Sequence, residues 1–302
     1  MNALVISFIA SAFSALSNLF FRKNTVDSQQ GSPSGFLVLF YLIAFLTALF
    51  FYPSIWSSPL NFAILAIGGS VGVLNIALMH LTSRALKYGP AGLTFAFQNS
   101  GAIFPGFLLF LIFGTSCGYS CSIFQLLGML CVVGGLFIGA RKESSHSAKN
   151  SSKWLIYALG CFAVQILALT LIQGRSILFQ QDEGPVSFFS ANEMDDMWFM
   201  PAQFGTAFIL QFALFLREKR PFNQAEVIYG CLSGIANFAA TCLILFATRL
   251  ALPFEKSMLF PCFSVGTFLL CNMWAKKLYK EDFNFLANGL CGLGIFMGIL
   301  LR

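Results

Sequence analysis

The charged residues of this 302-residue chain fall in the gaps between apolar runs, and each run is about as long as a bilayer is thick. A helix that crosses the hydrocarbon core needs roughly 20 mostly apolar residues. Only 10% of the residues are charged and 57% are hydrophobic. A folded soluble protein of this size hides only about three quarters of its chain surface, so water could not accommodate this composition. Lipid solvates the outward-facing excess, much of it among the 37 Phe residues. The runs show almost no period-2 alternation, which excludes a barrel and leaves helices as the way to satisfy every backbone group in lipid.

Hydropathy predicts ten spans. The first five cover Ala3–Phe21, Gly35–Tyr52, Phe62–Ser83, Pro90–Phe113 and Ile123–Ala140, and the second five cover Trp154–Gly174, Met197–Leu216, Val227–Thr248, Pro253–Trp274 and Phe285–Leu301. No Lys or Arg precedes the first run, unlike the basic start of a cleaved signal peptide, so that run is expected to remain as the first helix. All four Trp (56, 154, 198 and 274) lie near span ends, where an indole is expected to sit with its ring in the interface and its N–H in water.

Fourteen of the 18 cations lie in alternate loops: Arg22 and Lys23; Arg84 and Lys87; Arg141, Lys142, Lys149 and Lys153; Arg217, Lys219 and Arg220; Lys276, Lys277 and Lys280. The other side holds Arg175, Arg249, Lys256 and Arg302. The positive-inside rule then puts the basic side in the cytoplasm and both termini outside, in an integral protein of the cell (inner) membrane. The net charge of +6 is spread over loops with no aromatic platform beside it, so nucleic acid is not an expected partner. The expected partners are the lipid bilayer and a small-molecule substrate, with monomer and homodimer both open.

The second half echoes the first. Gly72-x-x-Asn75 in span 3 returns as Gly234-x-x-Asn237 in span 8. Thr82-Ser83-Arg84 is matched by Ala247-Thr248-Arg249, and Leu130-Cys131-x-x-Gly134 by Leu290-Cys291-x-x-Gly294. An odd number of spans per repeat threads the second copy upside down. The expected architecture is all-α and polytopic, with ten transmembrane helices as two inverted five-helix repeats: residues 1–141, a cytoplasmic linker at 142–153, and residues 154–302. Such repeats characterise secondary transporters, whose site lies between the halves near mid-membrane.

Two stretches extend this to a family resemblance. RALKYGPAGLTFAFQNSGAIFPGFLLFLIFG (84–114) looks like the junction of spans 3 and 4 in the drug/metabolite transporter superfamily, specifically its EamA-like branch. FQLLGMLCVVGGLFIGARK (124–142) is similar to the Gly-rich fifth span that ends the family's repeat. The resemblance implies the five-plus-five fold and transport of a small metabolite. The acidic residue that the family often places after span 4 is missing here, where Gly114-Thr115-Ser116 stands.

Polar side chains in membrane helices face the bundle interior or a wet cavity. Span 1 carries Ser7, Ser11, Ser14 and Asn18 at helical spacing, and span 8 carries Ser233, Asn237 and Thr241. The candidate substrate-binding residues are Ser11, Ser14, Asn18, Asn75, Gln98, Asn99, Gln165, Gln203, Asn237 and Thr241. Small hydroxyls at such spacing also serve plain helix packing. An amide in apolar surroundings is harder to satisfy, which favours ligand contact for the Asn and Gln residues. Arg84, Arg249, Glu255 and Lys256, at the ends of spans 3 and 8 and the start of span 9, are candidates for gating or coupling. Spans 3–4 and 8–9 would be the paired gates, with hinges at Gly68-Gly69, Gly89-Pro90, Pro105-Gly106, Gly134-Gly135 and Pro253.

The loop from Arg175 to Asp196 carries five of the 12 acids and leans toward a cationic or zwitterionic substrate, such as an amino acid or S-adenosylmethionine. No Walker A phosphate loop occurs, so ATP hydrolysis is not expected of this chain. The alternative is an intramembrane enzyme acting on lipid or peptide. It lacks a nucleophile–base constellation, since His80 and His146 are the only histidines and His146 sits in a basic loop. The nine Cys mostly lie in apolar runs, as small fillers. No catalytic residue, metal site or cofactor is expected.

Overall fold

The computed structural model describes residues 3–27, 33–51, 55–56, 58–114, 122–144, 148–175, 197–250, 253–280 and 285–300. Among them there is no strand. The helices are α1 (Ala3–Arg22), α2 (Ser34–Phe51), α3 (Phe62–Tyr88), α4 (Ala91–Ser100), α5 (Phe104–Phe113), α6 (Ile123–Ser144), α7 (Ala148–Gly174), α8 (Phe199–Arg217), α9 (Gln224–Leu250), α10 (Pro253–Tyr279) and α11 (Phe285–Leu300). Seven segments are long and apolar enough to cross a membrane, from Ala3–Thr25 to Gln224–Thr248; Leu126–Gly135 and Phe285–Gly294 are shorter apolar stretches. Large apolar side chains cover the outside, among them Phe8, Phe50, Phe62, Ile112, Ile156 and Phe285, as expected of a surface that meets lipid rather than water. The chain is therefore an all-helical, polytopic membrane protein.

The expected fourth span is broken in two. A 3₁₀ turn at Gly101–Ile103 separates α4 from α5. Pro105, in the first turn of α5, has no N–H to give the carbonyl one turn back, and its ring crowds that carbonyl. The hydrogen-bond ladder therefore shifts register at the break. Pro90 does similar work between α3 and α4, where the Gly89 N–H closes α3 on the Ala85 carbonyl at 3.0 Å. At its other end α3 is capped by Asn61, whose side chain accepts from the N–H groups of Ala63 and Ile64. The linker expected at 142–153 is largely helical, since α6 runs on to Ser144 and α7 already begins at Ala148.

The helices pack in a defined set of pairs. α1 lies on α9 and α10, α2 on α8 and α9, α3 on α7 and α8, α4 on α7 and α10, and α6 on α11. Glycines let several of these backbones close up. A Cβ at Gly68 would stand 2.8 Å from the Phe199 carbonyl oxygen on α8, and one at Gly234 would stand 2.6 Å from the Phe40 carbonyl oxygen on α2. The Gly68-Gly69 pair is thus packed against α8, about two turns into α3. In the α6–α11 pair, Gly128 and Gly294 meet backbone to backbone. Gly135 packs on Ala287 and Cys291, whereas the neighbouring Gly134 meets nothing within 4 Å.

The tryptophans depart from expectation. Only Trp56 is on the surface, at 70% exposure. Trp154 is buried to 1% and its indole N–H donates to the Thr94 hydroxyl at 3.0 Å, joining α7 to α4. Trp274 is buried and Trp198 half-buried. Trp154, whose indole N–H finds a protein acceptor, has no need of the interface.

Candidate functional site

A cavity of 140 Å³ opens between the helices, lined from α1, α2, α3, α4, α7, α8, α9 and α10. Asn75 and Asn237 both line it, each standing at the midpoint of a 27-residue helix. Two causes put these amides there. The run around each is apolar enough to hold the helix in lipid, and the close glycine faces at Gly72 and Gly234, one turn away, draw α3 onto α8 and α9 onto α2. The four helices bracket the space that the amides face.

Nine of the ten expected substrate-binding residues line this cavity: Ser14 and Asn18 from α1, Asn75 from α3, Gln98 and Asn99 from α4, Gln165 from α7, Gln203 from α8, and Asn237 and Thr241 from α9. Ser11 is not among its lining residues. Its hydroxyl donates to the Phe8 carbonyl at 2.6 Å, and its side chain packs against Gly266 of α10. Ser7, a turn further out, donates to the Leu259 carbonyl at 2.8 Å. The outer half of the serine stripe is covered by α10, and only its inner half meets the cavity.

Several lining groups are held in place by intramolecular bonds. The Thr82 hydroxyl donates to Gln98 Oε1 at 3.2 Å, the Asn99 amide donates to the Phe95 carbonyl at 2.8 Å, and the Thr241 hydroxyl donates to the Asn237 carbonyl at 2.9 Å. Ser17, absent from the expected stripe, also lines the cavity and pairs with Ser233. Two lining atoms stand out because they are buried without such a bond: the Tyr41 hydroxyl oxygen and Gln203 Oε1. Sequence reasoning found Gln203 but missed Tyr41. The available signal was that Tyr41 is the one side chain able to hydrogen-bond in the run from Phe36 to Phe45.

The rest of the wall is apolar and aromatic, with Phe40, Phe199, Phe260 and Phe263 among the rings. No Asp, Glu, Lys, Arg or His lines the cavity among the described residues. His80, deeper in α3, is engaged elsewhere: its Nε2 donates to Gln211 Oε1 at 2.9 Å and ties α3 to α8. Among the described residues no group of three His, Cys, Asp or Glu side chains is placed to hold a metal ion.

The candidate gating residues lie apart from the cavity or outside the described side chains. Arg84 is exposed at the turn before last of α3, with its guanidinium 5.6 Å from the centre of the Tyr157 ring. The 27-residue length of α3 carries that turn past the depth of the cavity, so Arg84 does not reach it. The side chains of Arg249, Glu255 and Lys256 lie outside the described residues, as do Cys117, Cys121 and the acidic loop before Met197. Two arginines that sequence reasoning did not single out are buried at the ends of lining helices. Arg22 closes α1 with its guanidinium 4.5 Å from the Tyr279 ring centre, and Arg175 follows α7 at 4.7 Å from that of Phe199.

No family model matches the chain, and no curated protein matches it. Twenty-one chains of solved structure do match. One, a crystal structure of a protein, superposes with a TM-score of 0.56 at 14% identity, covering 98% of this chain and 95% of the other. That likeness shows a shared fold along nearly the whole length of both chains.

Proposed function

We propose that the protein is a secondary transporter that moves a small organic metabolite across a membrane by alternating access, built as two inverted five-helix repeats like those of the EamA-like drug/metabolite transporters. The observation that carries this reading is the amide-lined cavity, to which both halves of the chain contribute and in which Asn75 and Asn237 hold corresponding mid-helix positions. A polar cavity in a helical membrane protein is where a solute escapes the cost of crossing hydrocarbon.

The packing pairs support the repeat. Exchange each span for the one five places later in the chain, counting α4 and α5 as one span. The α1–α9 pair then becomes α7–α3, α1–α10 becomes α7–α4, and α2–α9 becomes α8–α3. The pairs α2–α8, α4–α10 and α6–α11 map onto themselves. In this scheme the cation-rich loops face the cytoplasm and both termini lie on the other side of the cell membrane.

The volume favours a metabolite over a lipid or a drug-sized molecule, whose pockets run to about 300–1,000 Å³. The acidic loop before Met197 is the source of the lean toward a cationic or zwitterionic solute, such as an amino acid or S-adenosylmethionine, and the volume suits the smaller of these two. Of those two classes, the uncharged lining favours the zwitterion. The test is uptake by purified protein in liposomes. Saturable entry of a small solute that stops when Asn75 and Asn237 are both replaced by Leu supports the reading. Hydrolysis of lipid or peptide without solute entry would favour the intramembrane enzyme.

A further inference from the structure

The cavity wall is polar without being charged, and two of its polar atoms are buried without a partner within the protein. Tyr41 is 1% exposed and Gln203 is 4% exposed, and both line the cavity. Their phenol hydroxyl and Oε1 atoms are buried with no hydrogen bond. Buried polar groups in folded proteins are nearly always satisfied, so each such exception asks for a missing partner. Gln203 Oε1 can only accept, so its partner is a donor. The Tyr41 hydroxyl both donates and accepts, and its donor suits an acceptor on the same ligand. The two residues sit on neighbouring helices, α2 and α8, which pack together along the cavity.

The charge balance narrows the ligand further. A net charge moved from water into a wall of amides, hydroxyls and rings meets no opposite charge from the described lining, and its desolvation goes uncompensated. Amides hold the separate poles of an electroneutral molecule well, since each offers both donors and an acceptor. The aromatic faces of Phe40, Phe199 and Phe260 give its apolar part a surface to cover.

Resting on the transporter reading of this cavity, we propose that it selects a small electroneutral solute, zwitterionic or uncharged. The solute donates to Gln203 Oε1, accepts from the Tyr41 hydroxyl, and lays its apolar part on the aromatic wall. Tyr41 and Gln203 are then the residues that set specificity.

The test is a matched charge series on the purified full chain in detergent, read as a shift in melting temperature. A ligand that binds only the folded form raises apparent stability by mass action. The probes are phenylalanine (zwitterion), phenylalanine amide (cation), N-acetylphenylalanine (anion), adenosine (uncharged) and adenosine monophosphate (anion). The expected result is a shift confined to phenylalanine or adenosine. Gln203→Leu and Tyr41→Phe are each expected to weaken that binding about tenfold or more, the loss that follows from leaving a buried polar group of the ligand unpaired. Gln203→Glu is expected to move the preference toward the cation, a readout that a merely misfolded variant cannot give.

A larger shift from a charged probe, or no shift from any of the five, overturns the proposal. Uptake into liposomes separates the two claims. An electroneutral probe that binds but is not carried leaves this inference standing and removes the transporter reading. A charged probe that is carried does the reverse.

Discussion

The Ser17 and Ser233 hydroxyl oxygens lie 2.8 Å apart, and the Ser233 hydroxyl also donates to the Ser17 carbonyl at 3.1 Å. With Ser233 donating to that carbonyl, the Ser17 hydroxyl donates to Ser233, so the pair is closed. It fastens α1 to α9 at the edge of the cavity that Ser17 lines. Interhelical hydrogen bonds in membrane proteins average about 0.6 kcal/mol and reach about 1.7. Ser233→Ala is therefore expected to lower unfolding stability within that range and leave the fold intact. Denaturant unfolding in detergent measures it.

Two adjacent glycines should respond in opposite directions. At Gly135 a Cβ would stand 2.8 Å from the Ala287 carbonyl oxygen and 2.9 Å from Cys291 Sγ, so α6 and α11 must part to admit it. At Gly134 it would meet nothing within 4 Å. Gly135→Ala is expected to cost about 1–3 kcal/mol, as overpacking does. Gly134→Ala should be neutral or stabilising by up to about 1 kcal/mol, the helix-propensity difference. Melting temperatures of the two variants, measured side by side, decide the sign of each.

A buried carboxylate marks the turn between α8 and α9. Glu226 is fully buried, packs on Gly35, and accepts from Arg220 through both oxygens, at 2.7 and 2.9 Å. Removing one member of such a pair strands the other, so Arg220→Met is expected to cost about 3–5 kcal/mol. The hydrogen bond to Glu226, more than any other interaction, holds the Arg220 guanidinium above its ordinary range. A raised cationic value contributes stability that is complete below the unfolded value and is lost only above the folded one, and both lie far above neutrality. Titration of Arg220 thus brings no loss between about pH 7 and 9. Unfolding of the wild type and the variant across that window should give a difference that does not shrink as pH rises, since the carboxylate left buried in the variant only disfavours its folded form further. A difference that shrinks toward pH 9 would contradict the assignment.

The location of the cavity was legible in the sequence because amides are conspicuous in apolar runs. Asn75, Asn237, Gln98, Gln165 and Gln203 could be found one by one, and the structure brings them together. Hydroxyls were less legible, since they are easily satisfied by a carbonyl on their own or a neighbouring helix. Ser11 and Ser17 belong to the same helix and differ only in what covers them, which sequence spacing does not record. Trp154 looked interfacial because it sits at the start of an apolar run. Its acceptor, Thr94, is 60 residues away and comes into view only with the fold.

The echo between spans 5 and 10 shows the same limit. Aligned by letters, Gly134 matches Gly294. By contact, it is Gly135 whose packing resembles that of Gly294: Gly135 packs on Ala287 and Cys291, and Gly294 packs on Gly128 and Val132. A Gly-Gly pair is ambiguous by one residue in sequence, and packing resolves it. Tyr41 was missed for a different reason. Among so many rings it resembled one more apolar filler, and its significance comes from a hydroxyl that the fold leaves without a partner.

The central claim is that this cavity opens alternately to the two sides of the membrane. Thr241 lines it and is small enough to replace with Cys at little cost. The direct test is a single Thr241→Cys variant, made in a background freed of the nine native Cys, in liposomes of known orientation. A membrane-impermeant thiol reagent is applied from one side and then from the other. Alternating access predicts labelling from both sides. Labelling from one side only, or from neither, would contradict it.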